Sequence, residues 1–121
     1  MDMKLNNNKY TNNYNDNISE DPIAYFIISP LEEELISVPG IDDDSIKVFK
    51  KNNINNTYQL IGLFLSFKYE NQKTKELFDK ILNYLENIGI EENIKLIINT
   101  VLEKIDTLMP GFCDISELNL I

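Results

Sequence analysis

Twenty carboxylates, no histidine and a single cysteine, Cys113, bound the chemistry open to this chain of 121 residues. Zinc sites draw on several cysteine or histidine ligands, and histidine-based catalysis needs an imidazole, so the inventory excludes both. The acidic residues gather in two runs, Glu32-Glu33-Glu34 and Asp42-Asp43-Asp44. A pair such as Glu32 and Asp42 has the residue types for acid–base work, but no nucleophile or cleft is legible beside it. The aspartate run does not open a calcium loop, because the glycine and the closing glutamate of such a loop are missing. No enzyme, metal site or cofactor is expected.

Phosphate binding is the chemistry for which parts are present. Pro39-Gly40-Ile41 lies between two helical patterns, the outline of a helix-hairpin-helix motif. Such a turn sets backbone amides at a helix N-terminus, where they and the helix dipole hold a phosphate without reading base sequence. Gly40 and Ile41 are the candidate turn residues. Lys47, Lys50 and Lys51, one outer stripe of the following helix, are candidate cationic contacts. Each also has an ordinary reading, since Asp43 and Lys47 form an i, i+4 pair and charged helix faces are commonly just solvated. The aspartates oppose phosphate binding directly. Asp42 as a helix cap accepts the amide hydrogens that a phosphate would take, and Asp43 and Asp44 add like charge. A net charge of −9 further argues against indiscriminate binding to nucleic acid.

Most of the elements that position these residues read as helices. Ile23 to Ile28 is an apolar run that fits either a short strand or a helical strap over the core. Ser29-Pro30-Leu31-Glu32 carries the marks of a capping box with proline at the first helical position, predicting a short helix with Leu31, Leu35 and Val38 inward. Pro39-Gly40 breaks it. Asp42 then caps a second helix, with Ile46 and Phe49 inward, and Asn52-Asn53 supplies a residue for the left-handed stop. Thr57 is the next expected cap. Tyr58 to Phe67 is apolar nearly all round. Its composition allows a buried strand, but Thr57 before it and Gly62 within it fit a helix. Every face of that helix must then find a cover, a second copy of the chain being the natural one. Thr74 opens a fourth helix with Leu77, Phe78, Ile81, Leu82 and Leu85 at helical spacing, ended by Gly89. The last runs from about Glu91 to Leu108 with Ile94, Ile97, Ile98, Val101, Leu102, Ile105 and Leu108 inward, closed by Pro110-Gly111.

From Pro39-Gly40-Ile41 to Met109 the sequence resembles the barrier-to-autointegration factor family. The distinctive stretch is Tyr58-Gln59-Leu60-Ile61-Gly62-Leu63-Phe64-Leu65, similar to the family's Tyr-x-x-Leu-Gly-x-Phe-Leu segment. Glu76-Leu77-Phe78 and the helix ending Leu102-Glu103-Lys104-Ile105-Asp106 add weaker likeness. The resemblance implies an all-α, compact bundle of five or six short helices that forms a homodimer. It also implies binding and bridging of double-stranded DNA, and a groove across the dimer for a small helical partner domain. Tyr58, Gly62, Leu65 and Ser66 become the expected dimer interface, and Lys95 falls where the family has a DNA-contacting arginine. The turn departs from the family, whose Gly-Ile-Gly is here Gly40-Ile41-Asp42. Two functions thus stay open: a DNA-bridging protein of chromatin or genome organisation, and a relative that kept fold and dimer but acts only on protein partners.

No apolar run approaches the roughly 18 residues that span a bilayer, and the first residues lack the apolar core of a signal peptide. With its lone cysteine the chain is expected inside the cell, in nucleus, cytoplasm or a viral replication compartment, and not secreted. The sequons at Asn17 and Asn55 are then without consequence. Residues 1–20 are expected to be a flexible Asn-rich tail, which could also carry tyrosines to a partner. Residues 21–112 form the helical domain, and 113–121 a short C-terminal tail. Removing Met1 to Asn17 should leave the thermal midpoint within a degree or so, because the segment offers little to bury. A loss of several degrees in a calorimetric scan would show that the tail docks on the domain.

Overall fold

The longest apolar stripe in the chain sets the architecture. Its helix, Ile94–Leu108, buries Ile97, Ile98, Val101, Leu102 and Ile105 almost completely, at the i, i+1, i+4, i+5 and i+8 spacing of one helical face. The structure is a computed structural model that describes residues 21–118. Over these residues the chain is all-α: α1 (Pro22–Ile28), a 3-10 turn (Leu35–Ser37), α2 (Asp43–Lys51), α3 (Thr57–Ser66), α4 (Thr74–Ile88), α5 (Ile94–Leu108) and α6 (Ile115–Leu118), with no strand among the described residues. Helix α5 packs against α1, α3, α4 and α6, while the 3-10 turn rests on α2. The reading of residues 1–20 as a tail lies outside the described residues.

Local signals account for most of these boundaries. The Asp42 carboxylate caps α2, and α2 ends at Asn52 with Asn53 in the left-handed region at φ 66°. Gly89, at φ 105°, stops α4, whose Leu77, Phe78, Ile81 and Leu85 fill the core. The apolar run from Ile23 is a helix: Asp21 Oδ1 accepts the amides of Ile23 and Ala24 at 3.2 Å, and Pro22 takes the first helical position, where its missing N–H costs nothing.

Four expectations are corrected. Residues 29–34 are not helical, and Ser29 is a C-cap rather than an N-cap: its amide bonds Tyr25 O at 3.0 Å. The reason is tertiary. Thr57 donates its amide to Glu33 O at 2.9 Å and its hydroxyl to Glu32 O at 2.5 Å, holding this strand-like strap across the start of α3. Leu35 and Val38 still reach the core, but from a single 3-10 turn. Thr57 is correspondingly no cap. Asn56 caps α3, accepting Gln59 N–H at 2.8 Å, and Thr57 is buried behind it. Helix α5 begins at Ile94 rather than Glu91, because Asn93 adopts left-handed backbone, and Leu108 at its end is half exposed. Residues 113–118 hold a short helix whose Leu118 is buried, so the folded unit extends past residue 112. Asp114 donates its amide to Thr74 Oγ1 at 2.8 Å, tying that helix to the start of α4.

Lys104 is the unexpected member of the interior, 2% exposed on the inward stripe of α5. Its ammonium donates to Ile27 O at 3.0 Å and to Ser29 O, and lies 5.7 Å from the centre of the Phe26 ring. It thus closes the carbonyl end of α1, where the helix dipole favours a cation. Desolvation by burial lowers its pKa from the usual lysine value. Lys104→Met keeps the stem but leaves those carbonyls without their donor. It should cost about 1–3 kcal/mol in urea unfolding and loosen amide exchange across α1. A variant more stable than the native chain would show that desolvation outweighs the bonds.

Candidate functional site

The turn between the 3-10 segment and α2 is built by three constraints. Ile41 N–H returns to Val38 O at 3.1 Å, closing the turn. Gly40 sits at φ 95°, where a β-carbon is disfavoured, and a Cβ there would lie 3.0 Å from Ile97 Cγ1 and 3.3 Å from Leu96 and Asn93 side-chain atoms. Asn93 Nδ2 donates to Gly40 O at 3.3 Å. The turn is therefore seated on the first turn of α5, and Ile41 behind it is buried. This is a glycine required by both backbone and space.

At the head of α2 the chain supplies its own anion. Asp42 Oδ1 accepts the Ser45 amide and the Ser45 hydroxyl, both at 2.8 Å. These bonds hold the Asp42 carboxyl below its ordinary pKa. The amide that would face a phosphate is occupied, as the aspartate at this position foreshadowed. Asp43 and Asp44 are exposed on the same first turn. Asp42 and Asp44 also share a shallow cleft of about 300 Å³ with Glu91 and Glu92 of the α4–α5 connection, which adds negative potential.

The candidate lysines lie elsewhere. Lys47, Lys50 and Lys51 are exposed along α2, the last two in its final turn, where they complement the dipole. Lys95 is exposed in the first turn of α5. Helix α2 thus runs from an acidic head to a basic end. Gly40 and Ile41 belong to the seated turn, Lys95 lies in the helical turn that seats it, and Lys47, Lys50 and Lys51 line the exposed flank of α2 beyond it.

The expected interface residues share one face of α3. Tyr58, Gly62 and Ser66 recur every four residues and are exposed, with Leu65 half-buried beside them, while Leu60 and Phe64 fill the core opposite. Among the described residues nothing lies within 4 Å of where a Cβ on Gly62 would stand.

Two features escaped sequence reasoning. Lys104 could have been found, since it falls on the inward stripe three residues after Val101, where a lysine needs an internal partner. The double bond of Thr57 to the strap could not, because its acceptors lie 24 and 25 residues away. No family model, no curated protein and no solved structure matches this chain.

The Asp42 cap predicts an acid response with a definite sign. Its folded pKa is below the ordinary aspartate value of 3.8, so its stabilisation is fully present above that value and is lost as pH falls through the lower folded one. Asp42→Ala should lower the thermal midpoint at neutral pH, and the gap from the native chain should close as pH drops below 3.8. A gap unchanged at low pH would show that the carboxylate charge contributes nothing to the cap.

Proposed function

We propose that this chain is a non-enzymatic, homodimeric, barrier-to-autointegration-factor-like protein of chromatin or genome organisation, acting as an adaptor whose turn is closed to DNA phosphate. The observation that carries this reading is the Asp42 carboxylate on the Ser45 amide at 2.8 Å. An internal anion already satisfies the donor, and displacing it by phosphate would set two negative charges against each other. The homodimer is supported by the exposed face of α3, where Tyr58 offers an aromatic anchor and Gly62 leaves room for a second backbone. A small helical domain remains the partner that the resemblance implies.

A second reading keeps direct bridging of double-stranded DNA. It rests on the exposed Lys47, Lys50, Lys51 and Lys95, which could meet phosphates beyond the turn.

One set of measurements separates the two. Light scattering at micromolar concentration should give about twice the 14.1 kDa chain mass, and Gly62→Glu should return it to the monomer while the helical spectrum persists. A monomeric native chain would remove the dimer from both readings. In gel shifts near physiological salt the native chain should leave duplex DNA free. Asp42→Gly with Asp43→Ser and Asp44→Val frees the amides and should bind it without sequence preference, more weakly as salt rises. Strong binding by the native chain would establish the second reading instead.

A further inference from the structure

A groove of about 540 Å³ opens between the 3-10 turn and α2, sharing Asp43 and Lys50 with α2 and reaching Asn55 and Asn56 ahead of α3. Its aliphatic lining comes from Leu35, Ile36 and Ile46, and the carboxylates of Glu33, Glu34 and Asp43 stand around it. Lys50 is the cation on its wall, so the rim stays negative. The volume is that of a site for one or two side chains.

Three observations say what kind of partner fits. Ile36 is 55% exposed, a full aliphatic side chain left at the crest of the groove. The same Ile36 also lines a second hollow of about 310 Å³ with Pro22, Tyr25 and Pro39, and Tyr25 is 45% exposed. An extended ligand can therefore cross Ile36 and use both depressions, apolar at the α1 end and acidic at the α2 end. The walls are also fixed in advance. Thr57 holds the carbonyls of Glu32 and Glu33, and Ser37 donates both its amide, at 3.0 Å, and its hydroxyl, at 2.7 Å, to Glu34 O. A preformed groove loses little freedom on binding.

We infer that this groove docks a basic, amphipathic segment of a partner protein, with an aliphatic or aromatic side chain on Ile36 and lysines or arginines against Glu33, Glu34 and Asp43. Charge complementarity selects this occupant. An acidic segment would meet the carboxylate rim, and a purely apolar one would leave it unpaired.

The test uses the full chain and a fluorescein-labelled short peptide of leucine, phenylalanine and lysine, with a copy in which every lysine is glutamate. The lysine peptide should bind saturably and more weakly as salt rises, and the glutamate copy should not bind. Amide shifts in a nitrogen–proton correlation spectrum should be confined to residues 23–25, 33–37, 43–50 and 55–56, since Pro22 and Pro39 carry no amide proton. Ile36→Asp, and separately Glu33→Lys with Glu34→Lys, should each weaken binding by about tenfold. All three side chains are exposed, so the variants should keep the native helical spectrum, and the chain mass by light scattering should not change. The inference is overturned by absence of saturable binding, by equal affinity for the glutamate copy, or by full affinity in both variants. Shifts centred instead on Asp42, Asp44, Glu91 and Glu92 would overturn it too. So would groove signals that move when residues 1–20 are removed from the free protein, because the chain's own N-terminal segment would then be the occupant. None of these outcomes depends on whether the α3 face dimerises or the turn binds DNA.

Discussion

Helix α5 has to bury Ile97, Ile98, Val101, Leu102 and Ile105, and the remaining elements are arranged as its cover. Side chains of this size each contribute on the order of 1.5–3 kcal/mol when taken from water, which makes this stripe the largest contiguous demand in the chain. Helix α4 answers along its length with Leu77, Phe78, Ile81 and Leu85. Helices α1 and α6 are too short to persist alone and exist because α5 and α4 give them a surface. The Gly40 turn is placed by the same helix, through contact with Ile97 and the Asn93 bond. Both the functional turn and the core therefore take their position from one face.

Lys104 shows how that arrangement handles a polar group. The stripe of α5 brings a lysine inside, and burial alone would be costly. The carbonyl end of α1 is the natural partner, because its last carbonyls lack intrahelical donors. A cation that lacks a partner and a helix end that lacks donors meet in one contact, which also fixes where α1 lies. The Phe26 ring over the ammonium adds a further attraction.

Charge is unevenly distributed along α2 and its surroundings. The first turn of a helix can be capped by a carboxylate of its own chain. Here Asp42 closes it, with Asp43, Asp44, Glu91 and Glu92 nearby. The acidic run Glu32–Glu34 extends negative potential along the strap, while the cations collect at the far end of α2.

Sequence by itself determined the helices whose beginnings and ends are local events. The Asp42 cap, the Asn53 and Gly89 stops and the inward stripes of α4 and α5 all depend on residues within about two turns of one another, so propensity and period suffice. The face of Tyr58, Gly62 and Ser66 was marked only by the family resemblance, since the helix is apolar nearly all round. Tertiary structure alone decided the strap at residues 29–34. The capping-box residues were present there, but the carbonyls of Glu32 and Glu33 were claimed by Thr57 and Pro30 followed the end of α1. It also decided that Lys104 would reach Ile27 and Ser29 across 77 and 75 residues, and that Gly62 would face open space. Those outcomes hang on bonds and contacts between segments far apart in the chain, and a local pattern carries no record of which distant donor will arrive.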